Sequence, residues 1–171
     1  MITIKKEAVL ITPKDVKPTS KFLEVVGTFN PAAERLPNGD IVLYVRVAEA
    51  LKKKEDAKYC YSPRAEGRTK YTVKIDKIKK EDIKSRSYFD CVLKDGTKRL
   101  TFVSHLRRMI LDKSGFKVKF LDSKPTFHGL SHDGELGIED PRITKVGKEY
   151  YMTYVALSME GNISTHLAKS R

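Results

Sequence analysis

Three observations predict an all-β protein built from hairpins. Short runs rich in aromatic and β-branched residues recur along the whole chain, as strands require. Glycine- and aspartate-bearing turn signals separate them. A stretch near residue 30 is echoed near residue 140. With 171 residues, 40% of them hydrophobic, the chain is long enough to bury one sizeable core.

The predicted strands, in order, are Phe22–Val26, Ile41–Val47, Tyr71–Ile75, Tyr88–Leu93, Leu100–Ser104, Arg108–Leu111, Phe116–Leu121, Tyr150–Leu157 and Ile163–Leu167. The turns between them read PNGD, KDGT, DKSG, VGK and MEGN. One helix is predicted over roughly Val47–Lys58, where charge is plentiful but no apolar stripe forms. Short, regularly spaced strands suit a sandwich, a barrel or a propeller.

The echo bears on that choice. "NPAAERLPNGDIVLYVRVA" and "DPRITKVGKEYYMTYVALS" each open on a short polar residue and a proline, then pass through a turn glycine into a strand. Arg46 follows Gly39 by seven residues, as Tyr154 follows Gly147. Radially repeated hairpin sheets produce such echoes, although two ordinary hairpins would produce this one as well. In a propeller the innermost strands start beside a central channel. A proline is tolerated at a strand start and should hold the preceding residue, Asn30 or Asp140, extended.

Composition narrows the function. No run approaches the length of a transmembrane helix. The N-terminal "MITIKKEAVLITPKD" has charges where a signal peptide needs its apolar stretch, so a cytoplasmic location and no membrane partner are expected. Cys60 and Cys91 form no CxxC pair and read as buried, reduced thiols. The four histidines and two cysteines show no zinc spacing. His128 and His132 are split by Gly129 and Ser131, which suggests a loop, so no metal site is expected. A net charge of +12 raises nucleic acid as a partner. The lysines are nevertheless interleaved with acids, as in "KKKEDAK" and "KIDKIKKEDIK", which is the pattern of a solvated face.

The chemistry-bearing residues sit near the echo. Asp140 and Arg142 are two apart and should share a strand face, with Glu139 turned away. They suit either a structural ion pair or an acid beside an orienting cation. A neighbouring guanidinium favours the charged form of a carboxyl group, which argues against a simple direct acid. Arg46 ends the apolar run "IVLYVRV" and shares a face with Val42 and Tyr44, so it either snorkels or enters a polar cavity. Ser104 and His105 are adjacent in "RLTFVSHLRRM". Neighbours on a strand point apart, so a Ser-His nucleophile pair is not expected.

Together, "FNPAAERLPNGDIVLYVRVAE", "YSPR", "RLTFVSHLR", "GELGIEDPRIT" and "YYMTYVALSMEGNISTHLAKS" resemble the N-terminal portion of the mannoside phosphorylase family, glycoside hydrolase family 130, whose members include predicted glycosidases. The resemblance runs from about Gly27 to Arg171. It implies a five-bladed β-propeller with a sugar site in the central pocket. It also implies inverting phosphorolysis of β-mannosides, a glycosyl transfer to phosphate, or hydrolysis in some members. Asp140 matches the catalytic acid of the Glu-Asp-Pro-Arg motif, which in the phosphorylases acts through a sugar hydroxyl. Asn30 and Arg46 match positions that hold the mannosyl unit. Arg142, Ser104, His105 and Arg107 fall in matching motifs and are candidate substrate-binding residues. Inorganic phosphate is the implied co-substrate, a β-mannoside oligosaccharide the implied partner, and no cofactor or metal is implied. The resemblance leaves room for a homo-oligomer of the full-length enzyme.

Family members continue beyond "LAKSR". The expectation is therefore a single domain over 1–171 with only the first two to three blades and an unclosed ring. Residues 52–86 form a charged, insertion-like spacer. Little or no turnover and a tendency to aggregate are expected of residues 1–171 alone. The rival reading from another class is a basic β-rich module for RNA or another polyanion, which needs an exposed basic face with aromatic platforms.

Overall fold

The computed structural model describes residues 4–67, 70–130 and 132–170. Twelve strands dominate them: β1 (Leu23–Arg35), β2 (Ile41–Leu51), β3 (Tyr59–Glu66), β4 (Thr72–Lys79), β5 (Ile83–Arg86), β6 (Asp90–Leu93), β7 (Lys98–Leu100), β8 (Phe102–Leu111), β9 (Val118–Leu121), β10 (Gly137–Val146), β11 (Glu149–Leu157) and β12 (Ile163–Ser170). The only helical pieces among the described residues are two 3-10 turns at Pro13–Asp15 and Lys80–Asp82.

The main sheet runs in the order β1-β2-β8-β10-β11-β12, with β9 also pairing β8. It consists of two antiparallel fans. One is β1-β2-β8-β9 and the other is β10-β11-β12. They join at a single parallel register point, Gly137 opposite Ser104. The sheet is open, as the expectation of an unclosed ring requires. A β3–β4 hairpin and a three-stranded β5-β6-β7 sheet stand apart from it.

Two apolar clusters hold the fans. Leu106, Ile138, Met152, Tyr154 and Ala156 pack where the fans meet, with Tyr44, Phe127 and Ile143 against them. Leu43, Val45, Met109 and Leu111 form the second cluster, which Leu10 and Ile11 of the N-terminal segment cover. Truncating a fully buried leucine such as Leu106 costs about 2–5 kcal/mol in cores of this kind. Both cysteines are buried free thiols.

Several sequence expectations need correction. The helix over Val47–Lys58 does not form: Val47 to Leu51 are the end of β2. Each of those five residues is buried, because β2 is covered on both faces. A doubly covered strand shows no alternation, so its Ala, Glu and Leu read as helix formers. Leu100–Ser104 and Arg108–Leu111 belong largely to one continuous strand, β8. β3 was not expected as a strand because Pro63 interrupts its pattern, and β5 because it is short and exposed.

The echo is real in three dimensions, with its register moved by one. In β1, pairing skips from Phe29↔Arg46 to Ala32↔Tyr44. In β10 it skips from Glu139↔Val155 to Arg142↔Thr153. Each skip is a β-bulge in which two residues oppose one: Asn30-Pro31 opposite Val45, and Asp140-Pro141 opposite Tyr154. Structurally, then, Tyr154 corresponds to Val45 and not to Arg46.

Gly137 makes the junction of the fans possible. It has φ +120°, and a Cβ added there would lie 2.6 Å from the Ser104 backbone nitrogen. Gly161 also has a positive φ, +85°, but faces open space. Urea unfolding should therefore separate them. Gly161→Ala should cost only the backbone strain, about 1 kcal/mol. Gly137→Ala should cost several-fold more, because β10 must move off β8.

Candidate active site

The two bulges face each other. Asn30 Nδ2 donates to Asp140 Oδ1 at 2.7 Å, bridging β1 and β10. Further along the same strands, Glu34 accepts from the Lys145 backbone N–H at 3.1 Å. Asn30 and Asp140 have φ +47° and +48°, in the left-handed region. This corrects the extended conformation expected before a proline. The bulge geometry overrides the proline's preference, and asparagine and aspartate are the non-glycine residues that tolerate it best.

Arg46 lies beneath this bridge and is 8% exposed. Its Nε donates to Ser104 Oγ at 3.2 Å, and one terminal nitrogen reaches Asp140 Oδ1 at 3.4 Å. The other terminal nitrogen donates to Glu139 Oε1. Five residues thus converge: Asn30, Arg46, Ser104, Glu139 and Asp140. Glu139 was expected to face away from Asp140. The bulge breaks strict alternation and turns both carboxylates onto the same guanidinium. Burial lowers the Arg46 pKa, opposed by Glu139 and Asp140. Burial raises that of Glu139, with Arg46 opposing.

The remaining sequence candidates fall elsewhere. Arg142 donates to the Pro141 carbonyl at 2.7 Å and is exposed, so the Asp140–Arg142 pair expected on one strand face is replaced by Asp140–Arg46. His105 and Arg107 lie on the face of β8 opposite Ser104, as their odd positions dictate. They join a cluster that the sequence reading missed, centred on the fully buried Glu49. Glu49 Oε1 accepts from the Thr19 backbone N–H at 2.7 Å and from Arg107 at 3.4 Å. Arg107 also donates to the carbonyls of Lys17 at 2.8 Å and Ser123 at 3.1 Å, and to His105 Nε2 at 3.1 Å. His105 is then a neutral ring with its proton on Nδ1. Burial, Arg107 and His128 keep its pKa well below the usual histidine range. This cluster clamps the 17–19 and 123 segments onto the sheet. The available signal was Glu49 itself, an acid at an alternate position after Val45 and Val47.

Chemically, the convergent group offers one carboxyl group with a free edge. Among the described residues, both bonds to Asp140 fall on Oδ1, and its side chain is partly exposed to solvent. Arg46 and Asn30 add N–H donors suited to hydroxyl or carboxylate oxygens. The arrangement fits a proton donor held beside a hydroxyl-rich ligand.

Comparison with known proteins places this arrangement in context. The model of glycoside hydrolase family 130, described as β-1,4-mannooligosaccharide phosphorylase, matches residues 96–171. The β-1,2-mannobiose phosphorylase of Listeria innocua serovar 6a is 31% identical over 160 residues, 91% of this chain and 44% of that protein. The solved complex of β-1,2-mannobiose phosphorylase from Listeria innocua with β-1,2-mannobiose superposes with a TM-score of 0.77 at 29% identity. It covers 94% of this chain and 45% of that one. The chain therefore spans less than half the length of the relatives it matches.

The raised pKa of Glu139 has a consequence for stability. Its folded pKa lies above its ordinary 4.5, so its contribution is full below that value and is lost as pH rises through the folded pKa. Glu139→Gln removes the titration. Denaturation measured from pH 4 to 8 should show the variant gaining on the parent as pH rises above about 4.5. A constant offset would mean that Glu139 carries no such penalty.

Proposed function

We propose that this chain, which matches the N-terminal portion of glycoside hydrolase family 130 mannoside phosphorylases, supplies part of the sugar-binding and proton-donating centre of such an enzyme. The reaction is inverting phosphorolysis of a β-mannosyl linkage. The Listeria enzyme named above is a phosphorylase, and the matching family model is described as one, which supports transfer to phosphate over hydrolysis. The observation that carries the reading is the meeting of the two bulges, with Asp140 held by Asn30 and Arg46.

In this reading an oxygen of inorganic phosphate attacks the anomeric carbon of the mannosyl unit on the face opposite the leaving sugar. The glycosidic C–O bond breaks, and the leaving oxygen takes a proton that originates at Asp140. Passage through a sugar hydroxyl allows Asp140 to sit away from the glycosidic oxygen. Inversion gives an α-mannosyl phosphate and the shortened acceptor. Asn30 and Arg46 hold hydroxyls of the mannosyl unit; Ser104, expected from the sequence to bind substrate, is fully buried and instead positions Arg46. Arg46 also keeps Glu139 and Asp140 from repelling each other. Arg142 is free to reach ligand from the solvent side.

The test uses the protein extended to the length of the Listeria relative, assayed with β-1,2- and β-1,4-mannobiose and phosphate. Asp140→Asn fits the same left-handed backbone and should fold normally. Its turnover should fall by about 10²–10⁴-fold, the usual loss of a positioned acid. Near-parent rates would remove Asp140 from the reaction. Arg46→Lys should lower kcat/KM by up to about 10²-fold, since an ammonium group cannot span Ser104, Glu139 and Asp140 at once.

A further inference from the structure

A largely aromatic cleft adjoins Arg46, and Asp140 is not among the residues that line it. It has a volume of 330 Å³ and is lined by Phe29, Arg46, Lys54, Tyr88, Phe89 and Phe102 among others. That volume lies at the lower end of ligand sites, about 300–1,000 Å³. Two of its walls belong to the fan that holds the site: Phe29 precedes the Asn30 bulge, and Phe102 opens β8. The third wall is the tip of the β5–β6 hairpin.

The tip is unusual in its chemistry. Tyr88 is 74% exposed and Phe89 61% exposed, an apolar pair displayed to water. Exposed aromatic patches of this kind mark binding surfaces more often than solitary apolar residues do. The tip is also well braced. Ser87 N–H donates to the Asp90 carbonyl at 2.9 Å, and Phe89 N–H to Ser87 Oγ at 3.1 Å. From the other side, Thr101 Oγ1 donates to the Tyr88 carbonyl and Thr101 N–H to the Phe89 carbonyl, both at 2.9 Å. The rings continue one another: Tyr88 to Phe89 at 5.1 Å and Phe89 to Phe102 at 6.4 Å, both edge-on. Arg46 then stands 4.6 Å above Phe29 and 6.0 Å from the Phe102 ring centre. One guanidinium therefore borders both the Asp140 site and the aromatic cleft.

Resting on the reading above, we propose that this cleft is the subsite for the next sugar unit of the oligosaccharide, and that Tyr88 and Phe89 are its specificity-determining residues. A pyranose suits such a wall. One face of a β-mannosyl ring carries three axial C–H bonds at C1, C3 and C5, which pack on an aromatic surface. Its hydroxyls project around the edge, where Lys54, held 5.6 Å from the Tyr88 ring, and Arg46 offer donors. The β5-β6-β7 sheet is then a recognition element, since it carries the aromatic tip.

The experiment titrates the protein extended to the length of the Listeria relative, without phosphate, with mannose, β-1,2-mannobiose and β-1,4-mannobiose, followed by NMR. At least one disaccharide should bind more tightly than mannose and shift the ring signals of Tyr88 and Phe89, which mannose leaves in place. The double variant Tyr88→Ala/Phe89→Ala should lose on the order of tenfold in disaccharide affinity, the scale of aromatic packing contacts. Its mannose affinity should not follow, and this also reports that it is folded. Unchanged disaccharide affinity in the variant, or an equal loss for mannose, overturns the subsite and leaves the proposed function standing. A change in self-association with no change in sugar binding overturns it too, and marks the tip as a protein contact. If the extended parent protein binds none of the three sugars, the proposed function falls together with the subsite.

Discussion

The burial of one guanidinium governs the arrangement of the site. Arg46 enters the fold in the middle of β2, where an unpaired cation would be severely penalised. Its compensation comes from three directions: Ser104 on β8, and Glu139 and Asp140 on β10. Those partners belong to different strands, so satisfying Arg46 requires the two fans to meet at the observed angle. Backbone pairing between β8 and β10 is limited to a single residue, so the rest of the join is made by side chains: the Asn30–Asp140 bridge, the Arg46 contacts and the apolar cluster around Leu106 and Ile138. Interactions that align candidate ligand-binding groups are therefore also the ones that dock one fan on the other.

The two faces of β8 divide the remaining work. Ser104 faces Arg46. His105 and Arg107 look the opposite way, into a buried cluster with Glu49 that secures the N-terminal segment. Breaking a buried pair of that kind is costly because the surviving charge has no water to return to. The basic excess of the chain has a different character. Many of its lysines are exposed and paired with nearby acids, such as Lys79 with Glu81 and Lys98 with Asp90. That is the solvated mixed-charge surface its sequence pattern suggested, and exposed pairs of this type contribute little to stability.

How much of this was legible in the sequence depended on whether a signal was local. Turn glycines and apolar alternation marked most hairpins, and the proline echo located Asn30 and Asp140. Arg46 was visible as a charge at the end of an apolar run. Partner choice was not visible. Strict alternation assigned Asp140 to Arg142 and turned Glu139 away, because a bulge shifts the face of every later residue and leaves no composition signature apart from its proline. The end of β2 was misread for the opposite reason: burial on both faces erased the period that identifies a strand. The aromatic tip at Tyr88–Phe89 lay in a predicted strand, and only its exposure distinguishes it from core.

The paired bulges imply a narrow choice of residue at their two key positions. A backbone with φ near +48° ahead of a proline admits few side chains besides asparagine, aspartate and glycine. Asn30 and Asp140 occupy equivalent places on successive fans and differ by a single atom, an amide nitrogen where the other has an oxygen. The scaffold thus presents two near-identical short arms to one another. Which arm donates a hydrogen bond and which holds an exchangeable proton is decided by that atom alone. A lineage built on this frame could move or remove the acid by isosteric exchange, without rebuilding a strand.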